Sequence, residues 1–216
     1  MRYSVSVVLT KTLKVIAFQM NVHTEFRCFG EIRPAGYSDD VVKSDIDLMS
    51  YEIESQFGPA VGDWTLRFVC FLDTAECPHV YYPDGFKQTI GIRLAGPALR
   101  DIDFARFQLA HELVHCLAPS GGEKAFVIEE GAAAKYQHSY SKKYLNCGVK
   151  LRDGKYKEAL RLYNELSKQY SGAIKALRQI EPYFCNWSHD TFIVAGIHLE
   201  KSLERLLLTK FKDFQC

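Results

Sequence analysis

A chain of 216 residues that is 47% hydrophobic and 25% charged has the balance of a domain with a real buried core. Its 27 Lys and Arg against 26 Asp and Glu leave a net charge of +1 with no basic run, which argues against a nucleic-acid partner. No apolar run approaches a membrane span, and the apolar stretch at 5–9 is cut off by Lys11 and Lys14, too early for a secretory leader. The seven cysteines are odd in number and form no CxxC pair, so they read as reduced thiols, and the expected setting is soluble and cytoplasmic.

In chain order, residues 5–9, 14–19 and 26–32 are β-branched or aromatic segments of strand length. Ser38, Asp39 and Asp40 can cap a helix that runs to about Phe57, with Val41, Val42, Ile46, Met49, Ile53 and Phe57 near helical spacing. Gly58 and Pro59 stop it. Strands follow at 64–72 and 89–94, joined by a loop through Pro83 and Gly85; in the second, Ile90, Ile92 and Leu94 share one face. After Arg100 the chain reads as helix over 103–117, 124–142, 154–170, 173–181 and 190–211, with Asp103 as N-cap of the first. Strands first and helices afterwards predict an α+β fold. A sheet-containing lobe over 1–117 would be followed by a helical lobe over 118–216.

The segment DFARFQLAHELVHCLAP carries the chemistry. His111 and His115 are one helical turn apart, so both imidazoles can reach a single ion. Glu112 is displaced around the helix, where it can flank a metal-bound water as general base. Phe104, Phe107, Leu109, Ala110, Leu113, Val114, Cys116 and Leu117 make the helix apolar nearly all round, the pattern of a buried element. Burying two histidines and a glutamate without partners would cost several kcal/mol, and one bound dication accounts for all three. The bland readings are a hydrogen-bonded pair of core histidines, and for Glu112 an ion pair with a buried arginine such as Arg93.

No third histidine follows HELVHCLAPSG, but FVIEEGAAAKYQ lies downstream. Together the two segments, over 104–137, resemble the gluzincin metallopeptidases, in which an HExxH helix is followed by an E-G-x-A glutamate helix. The resemblance implies a zincin-like domain holding one Zn²⁺ per chain through His111, His115 and Glu130, the last being the glutamate directly before Gly131. Periodicity alone does not separate Glu130 from Glu129. The residue four beyond Glu130 is Ala134 instead of the aspartate of thermolysin-like enzymes, so the group that orients a ligand histidine must be Glu129 or a backbone carbonyl. No exopeptidase motif precedes HExxH, which points to endopeptidase-like cleavage of a peptide or protein. The resemblance also implies an oxyanion donor from the helical C-terminal part, with His189 and Tyr183 as candidates and His138 behind them. A peptide substrate would lie along a sheet edge, here strand 89–94. His23, His79 and His198 show no ligand spacing. The alternative is a regulatory or binding protein that holds a metal on the same scaffold without cutting its partner.

Overall fold

The computed structural model describes residues 20–30, 32–73, 77–121, 125–145 and 154–215. The expected strands at 5–9 and 14–19 lie outside them, as do Cys147 and Cys216. The order of elements is β1 (Asn21–Phe29), α1 (Asp39–Phe57), β2 (Thr65–Phe71), β3 (His79–Tyr81), β4 (Thr89–Leu94), then α2 (Ile102–His115), α3 (Val127–Tyr144), α4 (Gly154–Gln169), α5 (Ala173–Ile180), α6 (His189–Val194) and α7 (Lys201–Leu207). This is a mixed α+β arrangement: four described strands, then a succession of helices.

The sheet has the order β1-β2-β4-β3. β1 and β2 are parallel, and the α1 crossover between them lets its apolar stripe of Val42, Ile46, Met49, Ile53 and Phe57 enter the core. Ser38 caps α1 by accepting from the Val41 amide, and Gly58 closes it at φ 94°, a backbone region glycine enters without strain. β2 and β4 are also parallel, whereas β3 is antiparallel to β4 and forms the edge among the described strands. The expected edge strand, 89–94, is therefore an inner strand paired on both sides. The short β3, which the Pro-rich text around it conceals, takes the edge. β4 reads accordingly, with every residue buried except the half-buried Arg93.

α2 packs on the sheet and is anchored at both ends. Gln108 grips the chain leaving β4, donating to the Ala95 carbonyl at 2.9 Å and accepting from its amide at 3.1 Å. At the far end the Leu117 carbonyl accepts from the Val61 amide at 2.8 Å and from Arg178 at 3.3 Å. The N-cap of α2 is Asp101, two residues before the expected Asp103; its carboxylate accepts from the amides of Asp103 and Phe104. The long helix expected over 190–211 is broken into α6 and α7, because Gly196 turns left-handed at φ 71° and ends the first of them. Buried side chains from Met20 to Phe214 belong to one hydrophobic cluster. Of the described cysteines, Cys70 and Cys116 are buried and Cys77 is exposed. No described helix is long and apolar enough to cross a membrane.

Candidate metal centre

The second half of α2 is buried from Leu109 to Val114, as its apolarity predicts, and carries His111 and Glu112 into the interior with it, whereas Phe104 in its first turn is half-buried. α3 runs against it, fixed in register by Gln137, which donates to the Phe107 carbonyl at 3.0 Å. Three consecutive alanines, Ala132 to Ala134, are fully buried and keep α3 slender. Gly131 serves the opposite side: a Cβ there would meet the Ala159 carbonyl oxygen at 2.5 Å and the Tyr163 Cβ at 2.8 Å on α4. The glycine of the E-G-x-A segment is thus required by the close approach of α3 and α4.

This packing brings His111, His115 and Glu130 together, with one ligand atom from each lying within 4.8 Å of the others. Nε2 of His111 is 3.2 Å from Oε2 of Glu130, and Nε2 of His115 is 3.7 Å from Oε1. A tetrahedral ion with ligands at 2.0–2.1 Å needs its donors about 3.3 Å apart. The residues therefore fit, and the cluster could hold a metal ion. Glu129 takes a different place: it accepts from Nδ1 of His115 at 2.7 Å, which orients the imidazole and leaves its Nε2 facing Glu130.

The electrostatics follow from burial of opposite charges. Glu112, Glu129 and Glu130 are 5%, 4% and 8% exposed, carboxylates that are rarely enclosed without a cation. Without an ion, burial disfavours the charged form of His115, but the Glu130 charge, the hydrogen bond that His115 donates to Glu129 and the Glu129 charge outweigh that and push the pKa up to about 10. Burial also works to raise Glu130, but the charges of His115 and His111 and the hydrogen bond from His111 bring it below the ordinary carboxylate range. Burial raises Glu112, against the pull of both histidines. A group meant to collect a proton benefits from that shift.

The cluster opens on a cavity of about 640 Å³. One wall is helical, with His111, Glu112, His115, Glu129 and Glu130; another is the sheet edge, with Cys77 to Val80 and Arg93. Tyr82 and Tyr156 also line it. Neither His189 nor Tyr183 does. His189 stands at the start of α6, its side chain 61% exposed and bonded through Nδ1 to Glu204 at 2.8 Å. Tyr183 is half-buried against the core, and His138 also lies off the cavity.

Tyr156, on the first turn of α4, stands edge-on to His111 with centroids 5.4 Å apart. Nothing in the spacing of KYKEALRLY marks it, because the C-terminal tail sets its position. Phe211 packs against Tyr156 with its ring tilted and centroids 4.9 Å apart, and the tail is pinned to the start of α3 by hydrogen bonds from Val127 to Thr209 and from Phe211 to Ala125, both 2.9 Å. His79, which lacks any ligand spacing, lines the cavity as well; its Nδ1 donates to the Cys77 carbonyl at 2.8 Å. Comparison with protein-family models, with curated proteins and with solved structures finds no match to this chain, so its resemblance to the gluzincins rests on residues 104–137 alone.

Proposed function

We propose that this protein is a zinc-dependent peptidase, endopeptidase-like, with His111, His115 and Glu130 holding the ion and Glu112 as general base. The observation that carries the reading is Glu112. It is a buried carboxylate on the cavity wall beside the ligand set, yet it is not one of the three groups that hold the ion. A purely structural site has no use for such a group, whereas hydrolysis requires a base next to the ion.

His111, His115 and Glu130 would hold the zinc, which when bound would supply an acidified water and a Lewis acid for the substrate carbonyl. The Glu112 carboxylate receives the proton of the attacking water and delivers it to the nitrogen of the leaving amine. Glu129 holds the His115 ring through Nδ1 during that charge redistribution. The hydroxyl of Tyr156, in place of His189 or Tyr183, donates to the carbonyl oxygen as negative charge develops on it. An extended peptide adds to the edge of β3, whose His79 and Val80 line the cavity.

The test is the zinc content and peptide cleavage of the full chain beside Glu112→Gln. The expected outcome is about one zinc per chain in both proteins, with hydrolysis lost by at least about 10²-fold in the variant. Cleavage unchanged in Glu112→Gln, or no zinc in the freshly purified chain, would overturn the reading. The alternative of a binding protein on the same scaffold has no observation of its own in its favour.

A further inference from the structure

We infer that the protein carries a second binding site, for a small phosphate monoester, in a cavity bounded by α1, α3, α4 and α5. That cavity shares no lining residue with the one at the metal centre, so the inference stands apart from the peptidase reading.

Gly131 and Lys135 lie one turn apart on the same side of α3, and Tyr163 and Ser167 one turn apart on the same side of α4. The two helices touch at Gly131, where a Cβ would stand 2.8 Å from the Tyr163 Cβ. One turn beyond that contact, beside Lys135 and Ser167, a cavity of about 510 Å³ opens. Its floor is apolar and fixed, because Phe57, Tyr163 and Ile174 line it and belong to the buried core. Its rim is cationic: half-buried Lys135 stands on one helix and exposed Lys168 on another. Among the described residues no Asp or Glu lines the cavity, and neither of these ammonium groups is ion-paired. Lys143, two turns beyond Lys135 on α3, differs in this respect, since Glu52 holds it at 2.7 Å.

Two cations facing one cavity repel each other, and the half-buried one gives up hydration with no counter-charge in return. A dianion between them removes both costs. A phosphate monoester carries a charge of about −1.5 to −2 at neutral pH and several strong acceptor oxygens, and lysine serves such groups as a point charge. Asn164 and Ser167 offer neutral donors to the oxygens that the two ammonium groups leave over. The cavity is larger than a phosphate group fills, and the apolar floor suits an organic body attached to it.

The experiment titrates phenyl phosphate into the full chain, with and without zinc, and follows backbone amide signals by NMR. Ser171 and Gly172 report this cavity, and Ser120 and Ala125 report the metal centre. Saturable shifts are expected at Ser171 and Gly172, with one affinity whether or not zinc is present. Benzoate, which keeps the ring but carries a single charge, should bind about tenfold more weakly. Lys135→Gln and Lys168→Gln should each weaken phenyl phosphate about tenfold, and added salt should erode the exposed Lys168 contribution more than that of Lys135. Thermal melting of each variant checks that the fold is kept. Shifts confined to Ser120 and Ala125, or an affinity unchanged when both lysines are replaced, would overturn the site. Equal binding of benzoate would overturn the phosphate monoester as its ligand. Absence of zinc or of peptide cleavage removes the peptidase reading and leaves this site standing.

Discussion

His115 stands between two carboxylates, Glu129 on Nδ1 at 2.7 Å and Glu130 facing Nε2 at 3.7 Å, and the division of labour between adjacent glutamates follows from that. Glu129→Gln keeps the volume and can still accept a hydrogen bond, but it removes the charge that makes the imidazole a stronger ligand. Zinc affinity is expected to fall by about 10–100-fold, read by competition with a chromophoric chelator. An affinity equal to that of the unmodified chain would mean that Glu129 has no hold on the ligand. The same pair sets a pH dependence. Without zinc the His115 pKa rises from 6.5 to about 10, so the imidazolium contributes its full stability below about 6.5 and loses it as pH climbs through about 10. Zinc takes the neutral ring. Within that window binding should release about one proton from His115, and affinity should fall as pH drops. Calorimetry in buffers of different ionisation enthalpy measures the release directly; zero protons at mildly alkaline pH would contradict the arrangement.

At the scale of elements, the site is made where α2, α3 and α4 touch. The second half of α2 was legible: spacing gave the two histidines, and apolarity gave the burial. The glutamate helix was legible through its resemblance to a family segment, yet the reason for its glycine is visible only in the packing. Gly131→Ala puts a Cβ 2.5 Å from the Ala159 carbonyl oxygen, a backbone atom that cannot step aside without moving α4. The substitution is expected to destabilise the protein by about 1–3 kcal/mol in urea unfolding and to loosen zinc, since Glu130 is the preceding residue. Undiminished stability would show that α3 and α4 are not in such close contact. β3 was not legible, because three residues between Pro78 and Pro83 make no periodic signal, and the edge was assigned to β4 instead. The break at Gly196 was missed for a related reason: a lone glycine in an apolar helical pattern becomes a stop only when the chain has somewhere else to go.

For the molecule as a whole, Arg178 is the main tie between the helical half and the start of the site. Its side chain donates to the carbonyls of Phe57 at 3.2 Å, Gly58 at 2.9 Å, Pro59 at 2.7 Å, Leu117 at 3.3 Å and Pro182 at 3.2 Å. One buried guanidinium thereby satisfies the C-terminal ends of α1 and α2. Burial brings its pKa down to about 10, opposed by the Glu54 and Glu129 charges, so it remains a cation at neutral pH. Arg178→Met should cost about 3 kcal/mol or more in equilibrium unfolding, and Arg178→Lys should restore only part, since a single ammonium cannot fork across five acceptors. Full recovery with lysine would reduce the clamp to a simple charge.

What the sequence determined by itself is local and periodic: the α+β order of elements, the buried histidine helix with Glu112 on it, and a glutamate helix following it. These depend on spacing along one helix, and the 3.6-residue period carries that information whatever the rest of the chain does. The tertiary structure alone decided which glutamate joins the two histidines and which braces His115, that Tyr156 and not His189 borders the cavity, and that β3 and not β4 is an edge among the described strands. Each of those is a contact between segments far apart in the chain, selected by backbone approach and packing, and no local pattern encodes the side on which two helices or two strands will meet.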